Sequence, residues 1–175
     1  MTLVHARRVW RLPAEVDTDQ LAPGHAMKLG GLAEIARHCL ETLRPEFAAE
    51  VRAGDVIAAG PSFGIGSSRE QAAGALVQLG VAAVIAPSYS GLFFRNAFNL
   101  GLLLLTCAEA EALEDGERIT FDAAAGRIER ADGRVLAAAP IPPFLLDMVQ
   151  AGGLLPQLER RFAAARTTRP EEKSP

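Results

Sequence analysis

Two serines and an arginine stand together in a glycine-rich stretch of the chain, SFGIGSSREQ. The hydroxyls of Ser67 and Ser68 are potential bases, nucleophiles or hydrogen-bond donors. The guanidinium of Arg69 can bind a carboxylate or a phosphate through two hydrogen bonds. Gly64 and Gly66 leave the backbone free to approach a ligand closely. These residue types at this spacing therefore predict a binding site for a small anion.

The position of Arg69 supports this prediction. The residues after it read as a helix, and the pattern places Arg69 in the first turn. A cation there is unfavourable by about 0.3–1 kcal/mol, because the helix dipole is already positive at its N-terminus. A bound anion reverses the sign, and the free N–H groups of the turn favour binding. An alternative stays open, because Ser67 with Glu70, or Ser68 with Gln71, also fits a capping box, which implies no chemistry.

Three common motifs do not fit this stretch. The P-loop needs a lysine after its second glycine, and the dinucleotide fingerprint needs a glycine where Arg69 stands. An α/β-hydrolase carries its histidine after the serine. The three histidines of this chain, His5, His25 and His38, all precede Ser67. A self-sufficient serine enzyme is therefore not favoured.

The elements around the motif follow an alternating pattern. Short apolar strands are predicted at DVIAAG, VAAVIAPS and LLLLTC, with helices between them from Ser67 to Leu79 and at SGLFFRNAFNLG. This alternation indicates an α/β fold with parallel strands in the middle. A strand is also predicted within residues 1–12, an ordered loop at EVDTDQLAPG and a helix at LAEIARHCLETL. Residues 116–138 alternate around two turns and predict a hairpin or meander.

The length of 175 residues and the hydrophobic content of 49% predict one compact domain. We place this domain at residues 1–162. Its last part begins with the prolines of PPFLLDMVQAGG, which suit a helix N-terminus, and Gly152 is a stop signal for that helix. Residues 163–175 are polar and show no core-forming pattern, so we expect a disordered C-terminal tail.

Charge and cysteine content exclude several classes of function. The net charge of −3 leaves no basic footprint for nucleic acid. No uncharged apolar run reaches about 18 residues, and no signal peptide is recognised, so we expect no membrane span and a cytoplasmic protein. Cys39 and Cys107 are expected to be buried in a reducing compartment. Two cysteines and three histidines support neither a closed four-ligand zinc site nor a four-iron cluster on this chain, so we expect no bound metal.

The stretch FGIGSSREQAAGAL resembles the signature of the small subunits of 3-isopropylmalate dehydratase, which are similar to the swivelling domain of aconitase. The loop Asp17-Thr18-Asp19 with Pro23 fits the same family, as do GDVIAAGPSFG, APSYSGLFFRNAFNLGLLLL and PPFLLDMVQAGGL. The likeness runs in order through about residues 3–160. It implies a β/β/α swivelling domain, in which a partly open, barrel-like sheet is flanked by helices.

The resemblance also implies an activity. In this family a large subunit carries a 4Fe-4S cluster, and the small subunit binds no cofactor and is inactive alone. The heterodimer is a hydro-lyase of leucine biosynthesis, which isomerises 2-isopropylmalate to 3-isopropylmalate by dehydration and rehydration. By position, Ser67 would be the base that takes the α-proton, Ser68 would hydrogen-bond the substrate, and Arg69 would hold a carboxylate. Gly64 and Gly66 would approach the substrate through their backbone.

Further residues follow from the same resemblance. Asp19 matches an acidic residue of the family loop and is assigned an orienting role, with an Asx-turn or helix-cap aspartate as the alternative. The chain departs from the family at Ile65, where a cysteine is usual, and in the loop Ala26–Leu29. In the family this loop contacts the γ-substituent of the substrate, so Met27 and Lys28 are candidate substrate-binding residues. Lys28 would meet an extra carboxylate, as in homoaconitate, or be an exposed loop lysine.

Several substrates and two classes of function therefore stay open. The substrate is a small dicarboxylate or tricarboxylate: 2-isopropylmalate, another 2-alkylmalate or homoaconitate. The other class is a non-catalytic module that binds a dicarboxylate at the same turn. Arg95, Asn96 and Asn99 are interpreted as helix-end or subunit-contact residues rather than as catalytic ones.

Overall fold

The computed structural model describes residues 3–5 and 8–167 of the chain, and the strands form two separate four-stranded sheets. The strands are β1 (Leu3–His5), β2 (Val9–Arg11), β3 (Val56–Ala58), β4 (Ala83–Ala86), β5 (Leu103–Thr106), β6 (Ile119–Asp122), β7 (Arg127–Arg130) and β8 (Val135–Ala137). The helices are α1 (Thr18–Leu21), α2 (Gly31–Arg37), α3 (Phe47–Glu50), α4 (Glu70–Gln78), α5 (Gly91–Asn99), α6 (Pro143–Ala151) and α7 (Leu154–Thr167), with 3₁₀ turns at Ala26–Lys28 and Ala110–Ala112. The α/β class predicted from the alternating pattern is confirmed.

The parallel sheet has the order β2-β3-β4-β5 and forms the middle of the core. Ile57 of β3 pairs with Val84 of β4, which pairs with Leu104 of β5. Every residue of β3 and β4 is buried, as expected for parallel strands that are covered on both faces. Helix α4 connects β3 to β4, and α5 connects β4 to β5. The carboxyl end of β3 therefore leads through the serine-arginine stretch into α4.

The second sheet is antiparallel, with the order β1-β6-β7-β8. Phe121 pairs with Ile128, and Ile128 with Leu136, so the meander predicted for residues 116–138 is confirmed. The single strand predicted within residues 1–12 is wrong, because β1 pairs with β6 whereas β2 pairs with β3 in the other sheet. Since the described strands divide between two sheets, the expected barrel-like sheet is not confirmed.

A buried aromatic pair fixes the approach to β3. The rings of Trp10 and Phe47 meet edge to face, with their centroids 4.9 Å apart. Trp10 Nε1–H donates to Asp55 Oδ2 at 3.0 Å, and the backbone N–H of Arg52 donates to the same oxygen at 3.0 Å. Asp55 is 2% exposed, so its carboxylate satisfies two donors inside the protein. This holds the turn that precedes β3.

Helix α2 is shorter than the pattern LAEIARHCLETL predicts, because the backbone reverses at Leu40. The helix ends at Arg37, and Leu40 adopts the left-handed conformation with φ of +62°. This conformation is uncommon for leucine. The N–H of Leu40 donates to the Gln20 carbonyl at 2.8 Å instead of continuing the helix. After this turn, Oε2 of Glu41 lies 2.8 Å from Nδ1 of His38.

The C-terminal helices end partly as predicted. Gly152 terminates α6 in the left-handed conformation, with φ of +89°, as its sequence position indicates. Helix α7 continues to Thr167, so residues 163–167 are helical rather than part of an irregular tail. The rest of that expected tail, residues 168–175, lies outside the described residues. Within residues 3–5 and 8–167, no helix has the length and hydrophobicity that crossing a membrane requires.

The turn after β3 depends on Gly64. This glycine has φ of +77°, in the left-handed region that other residues rarely adopt. A Cβ atom at this position would overlap the buried side chain of Phe93 on α5. The ring of Phe93 in turn lies edge to face against Phe63, with centroids 5.3 Å apart. The absence of a side chain at Gly64 therefore lets the turn rest directly on α5.

Gly64→Ala is expected to lower the free energy of unfolding more than Gly116→Ala. Gly116 has φ of +81°, but no atom of the described residues lies within 4 Å of an added Cβ. The Gly116 variant therefore incurs only backbone strain of about 1–2 kcal/mol. The Gly64 variant adds an overpacking cost of roughly 1–3 kcal/mol against Phe93. Urea denaturation of both variants measures the difference, and equal losses would contradict the contact with α5.

Candidate functional site

The serine-arginine turn lies against the D-T-D loop, and backbone hydrogen bonds hold the two segments together. The N–H of Gly64 donates to the Val16 carbonyl at 2.7 Å, and the N–H of Thr18 donates to the Ile65 carbonyl at 2.9 Å. These bonds form an isolated parallel bridge between Asp17 and Ile65. Two segments that the sequence marks separately thus form one site.

The Ser67 hydroxyl is positioned by a buried threonine. Ser67 Oγ lies 3.2 Å from Thr18 Oγ1, and the N–H of Ser67 donates to Thr18 Oγ1 at 3.1 Å. Thr18 is 2% exposed, whereas Ser67 is exposed. Gly66 has φ of +104°, and an added Cβ would come within 3.0 Å of Thr18 Oγ1. This role of Thr18 was not predicted from the sequence, in which the D-T-D string is the only signal for it.

The two serines do not cap helix α4. The helix begins at Glu70, with Arg69 as its N-cap residue, and no side chain makes a capping hydrogen bond. The predicted helix start at Ser67 and the capping-box alternative for this stretch are therefore wrong. A capping box occurs instead in α1, where Asp17 Oδ1 accepts from the N–H of Gln20 at 2.8 Å and Gln20 Oε1 accepts from the N–H of Asp17 at 2.9 Å. The hydroxyl of Ser67 thus contacts Thr18 rather than helix α4.

Arg69 is paired with a carboxylate of its own chain. Its guanidinium forms an ion pair with Asp19, and Nη1 donates to the Ala22 carbonyl at 3.0 Å. The Asp19 side chain is 69% exposed and that of Arg69 is 26% exposed. Since Asp17 is the residue that caps α1, the helix-cap interpretation of Asp19 is wrong. The anion expected beside Arg69 is therefore supplied, in the protein alone, by Asp19.

Ser68 is exposed next to Ser67. Its carbonyl accepts a hydrogen bond of 3.4 Å from Asn96 Nδ2 on α5. Asn96 therefore ties the turn to the neighbouring helix through the backbone, and its side chain makes this contact rather than capping a helix.

Met27 and Lys28 lie in the 3₁₀ turn that precedes α2. Met27 lines an open pocket of about 340 Å³ together with Glu70 and Gln71 of the first turn of α4. Lys28 is exposed, and its ammonium group forms no ion pair within residues 3–5 and 8–167. The structure thus brings Met27 next to the start of α4 and leaves Lys28 free at the surface.

The cysteines lie in the core and take no part in this site. Cys39 and Cys107 are both buried and free of disulfide bonds. Burial raises the pKa of each thiol above its ordinary value, so neither is a thiolate at neutral pH. The prediction that both behave as small buried hydrophobic residues is confirmed.

Comparison with known proteins is consistent with the motif. The family described as aconitase C-terminal domain matches residues 47–110, which include the serine-arginine turn. The chain is 43% identical over 149 residues to 3-isopropylmalate dehydratase small subunit 1 of Archaeoglobus fulgidus, covering 85% of this chain and 92% of the relative. It is also 43% identical over 149 residues to the methanogen homoaconitase small subunit of Methanothermobacter thermautotrophicus, covering 85% of this chain and 86% of the relative.

A solved structure extends the likeness to the whole fold. The crystal structure of 3-isopropylmalate dehydratase (leuD) from Methanocaldococcus jannaschii matches this structure with a TM-score of 0.89 at 31% identity. The match covers 96% of this chain and 100% of that chain. On this likeness in sequence and fold, the chain belongs to the family of 3-isopropylmalate dehydratase small subunits, which share the swivelling-domain fold of aconitase.

Proposed function

We propose that this chain is the small subunit of a hydro-lyase of the 3-isopropylmalate dehydratase type, which isomerises 2-isopropylmalate to 3-isopropylmalate by dehydration and rehydration. One observation carries the proposal. In the serine-arginine turn, the Ser67 hydroxyl is positioned by Thr18, and two residues later the Arg69 guanidinium is paired with Asp19. The name of the Archaeoglobus fulgidus relative supports this activity. We place the protein in leucine biosynthesis in the cytoplasm, where free thiols such as Cys39 and Cys107 stay reduced.

The proposal requires a second chain. We assign the 4Fe-4S cluster, which binds the substrate hydroxyl, to a large subunit, and we expect this chain to be inactive alone. The residues of this chain do not fit such a cluster, because its only two cysteines, Cys39 and Cys107, are buried. The names of the relatives as small subunits support a heteromeric enzyme.

Ser67 is assigned as the base that takes the α-proton of the substrate. A hydroxyl becomes an effective base only when its anionic form is stabilised. Thr18 Oγ1 accepts from the N–H of Ser67, so the hydroxyl proton of Thr18 is free to donate to Ser67 Oγ, 3.2 Å away. The N-terminal N–H groups of α4 and the nearby guanidinium of Arg69 add positive potential at the turn. This chain therefore supplies both the proton acceptor and the groups that stabilise its charge.

Arg69 is assigned to hold a substrate carboxylate, with Ser68 as an additional hydrogen-bond donor. In the protein alone, Asp19 occupies the guanidinium, and the exposure of this pair means that solvent screens it strongly. A substrate carboxylate can therefore take over the ion pair with Arg69. Asp19 stays beside the guanidinium and orients it from one side. Gly64 and Gly66 allow the backbone of the turn to approach the bound acid.

Homoaconitate is a second candidate substrate, and two observations favour it. Lys28 is exposed without an ion pair in the described part of the chain, on the same 3₁₀ turn as Met27. The relative from Methanothermobacter thermautotrophicus, as similar as the first, is named as a homoaconitase small subunit. In that case Lys28 would bind the third carboxylate of the substrate, because an ammonium group without a partner is available for it.

Ser67→Ala is expected to reduce kcat of the complex with a large subunit by about 10²–10⁴-fold, because the base is lost. The complex itself should still assemble, as size-exclusion chromatography would show. Ser90→Ala is the matched control, since Ser90 precedes α5 and makes no side-chain capping hydrogen bond. Normal turnover in the Ser67 variant would remove this serine as the base. If dicarboxylates bind to the chain alone and no large subunit restores turnover, the non-catalytic binding module is the correct interpretation.

Arg69→Lys is expected to raise KM for 2-isopropylmalate by about 10–100-fold, because lysine keeps the charge but loses the two-pronged hydrogen bond to the carboxylate. Steady-state kinetics of the complex measure KM and kcat separately. Arg134→Lys, in an exposed ion pair with Asp132 between β7 and β8, is the control and should leave KM unchanged. The melting temperature of each variant is compared as well, because Arg69 also donates to the Ala22 carbonyl. An unchanged KM in the Arg69 variant would refute the assignment.

Lys28→Ala separates the two candidate substrates. If 2-isopropylmalate is the substrate, kcat/KM for it should stay within about threefold of the parent, since an exposed lysine with no ion pair in the described part of the chain contributes little. If homoaconitate is the substrate, its KM should rise about 10-fold or more in Lys28→Ala and recover in Lys28→Arg, which keeps the charge. Parallel assays of the reconstituted complex on both acids provide the comparison.

A further inference from the structure

Three side chains outside the serine-arginine turn converge on one point at the surface. His25 Nε2 lies 2.5 Å from Glu41 Oε1, and His38 Nδ1 lies 2.8 Å from Glu41 Oε2. The two imidazole rings stand nearly perpendicular, at 84°, with centroids 4.9 Å apart. One nitrogen from each ring and one carboxylate oxygen all lie within 4.8 Å of one another. Neither the serine-arginine turn nor the proposed reaction uses these groups.

The backbone brings the three residues together from different segments. His25 comes immediately before the 3₁₀ turn Ala26–Lys28, whereas His38 follows the last residue of α2. Glu41 lies three residues after His38 and directly after Leu40, whose left-handed conformation turns the chain at the end of α2. The three side chains thus come from two segments, one before and one after α2.

The donor set suits a transition-metal ion better than Mg²⁺ or Ca²⁺. Imidazole nitrogens bind Zn²⁺, Cu²⁺, Ni²⁺ and Co²⁺, whereas Mg²⁺ and Ca²⁺ prefer sites made only of oxygen. Zinc bonds of about 2.0–2.1 Å in a tetrahedral site place the donor atoms about 3.3 Å apart. The donor atoms of this cluster lie between 2.5 Å and 4.8 Å from one another, a range that includes this value. The two shortest contacts need to lengthen by under about 1 Å to reach it.

The surroundings of His38 resemble the outer part of a metal site. Its second nitrogen, Nε2, lies 3.8 Å from Glu34 Oε1. A histidine that binds a metal commonly donates its other N–H to a carboxylate, which fixes the tautomer and the orientation of the ring. At 3.8 Å Glu34 lies beyond hydrogen-bond distance, and a shift of under about 1 Å would bring it into this contact and leave Nδ1 of His38 as the metal-binding nitrogen.

We propose that His25, His38 and Glu41 form a binding site for one divalent transition-metal ion of the Zn²⁺ type, with water completing the coordination. From two cysteines and three histidines we expected no bound metal on this chain, and the proposed site differs from that expectation because its third ligand is a carboxylate. The bound ion joins the segment that carries Met27 and Lys28 to the end of α2. The site therefore restrains the loop that carries Met27 and Lys28, and it does not depend on the proposed reaction.

Isothermal titration calorimetry of the full chain without a histidine tag, with Zn²⁺ in a buffer free of chelators, tests the site. We expect one ion per chain with a dissociation constant in the micromolar range and no binding of Mg²⁺. His25→Gln should weaken Zn²⁺ binding by about 10-fold or more, since it removes one of three ligands. His25 is chosen because its side chain is 56% exposed, so its loss leaves the core intact. Circular dichroism of the variant confirms that it is folded.

The control is His5→Gln. His5 is also exposed and hydrogen-bonded, to Thr120 in the antiparallel sheet, and its loss should leave Zn²⁺ affinity unchanged. Co²⁺ provides a second readout, because visible absorption bands of a four-coordinate ion should appear with the parent chain and be absent with His25→Gln. Binding only at millimolar Zn²⁺, or equal affinity in the His25 variant and the parent, would overturn the proposal and leave the three residues as an ion-pair cluster only.

Discussion

The site depends on the backbone pairing that joins the D-T-D loop to the serine-arginine turn. The loop follows β2 and the turn follows β3, and these are adjacent parallel strands. Both segments therefore leave the sheet at the same carboxyl edge, which is where α/β sheets bind their ligands. The pairing converts this proximity into side-chain contacts, Thr18 with Ser67 and Asp19 with Arg69. Without it, the hydroxyl and the guanidinium would lack their partners.

Charge compensation explains how an arginine is tolerated at the start of a helix. The N-terminus of α4 is already positive, so the guanidinium of Arg69 needs an anion nearby. Asp19 supplies that anion from a different segment, and the pair lies in partial contact with solvent. Such an ion pair is weak enough to be exchanged for another carboxylate. The turn is therefore electrically balanced in the isolated chain and can still bind an organic acid.

The sequence predicts the features of this molecule that local patterns determine. The parallel strands, the meander and the glycine-serine-arginine turn follow from apolar runs and from turn residues. The start of α4 and the end of α2 were not predictable in this way, because distant contacts decide them. Ser67 is held by Thr18 instead of capping the helix, and the N–H of Leu40 bonds to Gln20 instead of to its own helix. The role of Thr18 depends on its burial, and burial of a single threonine cannot be predicted from the spacing of residues in the sequence.

Gly74 sets the space available in the pocket that Met27 lines. It lies in α4 and lines the same pocket as Met27, and an added Cβ would sit 3.0 Å from Cδ1 of Leu32, the mobile tip of a flexible side chain. Its backbone is ordinary helix, so larger residues there would meet a limit of space rather than of conformation. A larger residue at this one position would therefore narrow the pocket beside Met27 and leave the serine-arginine turn unchanged.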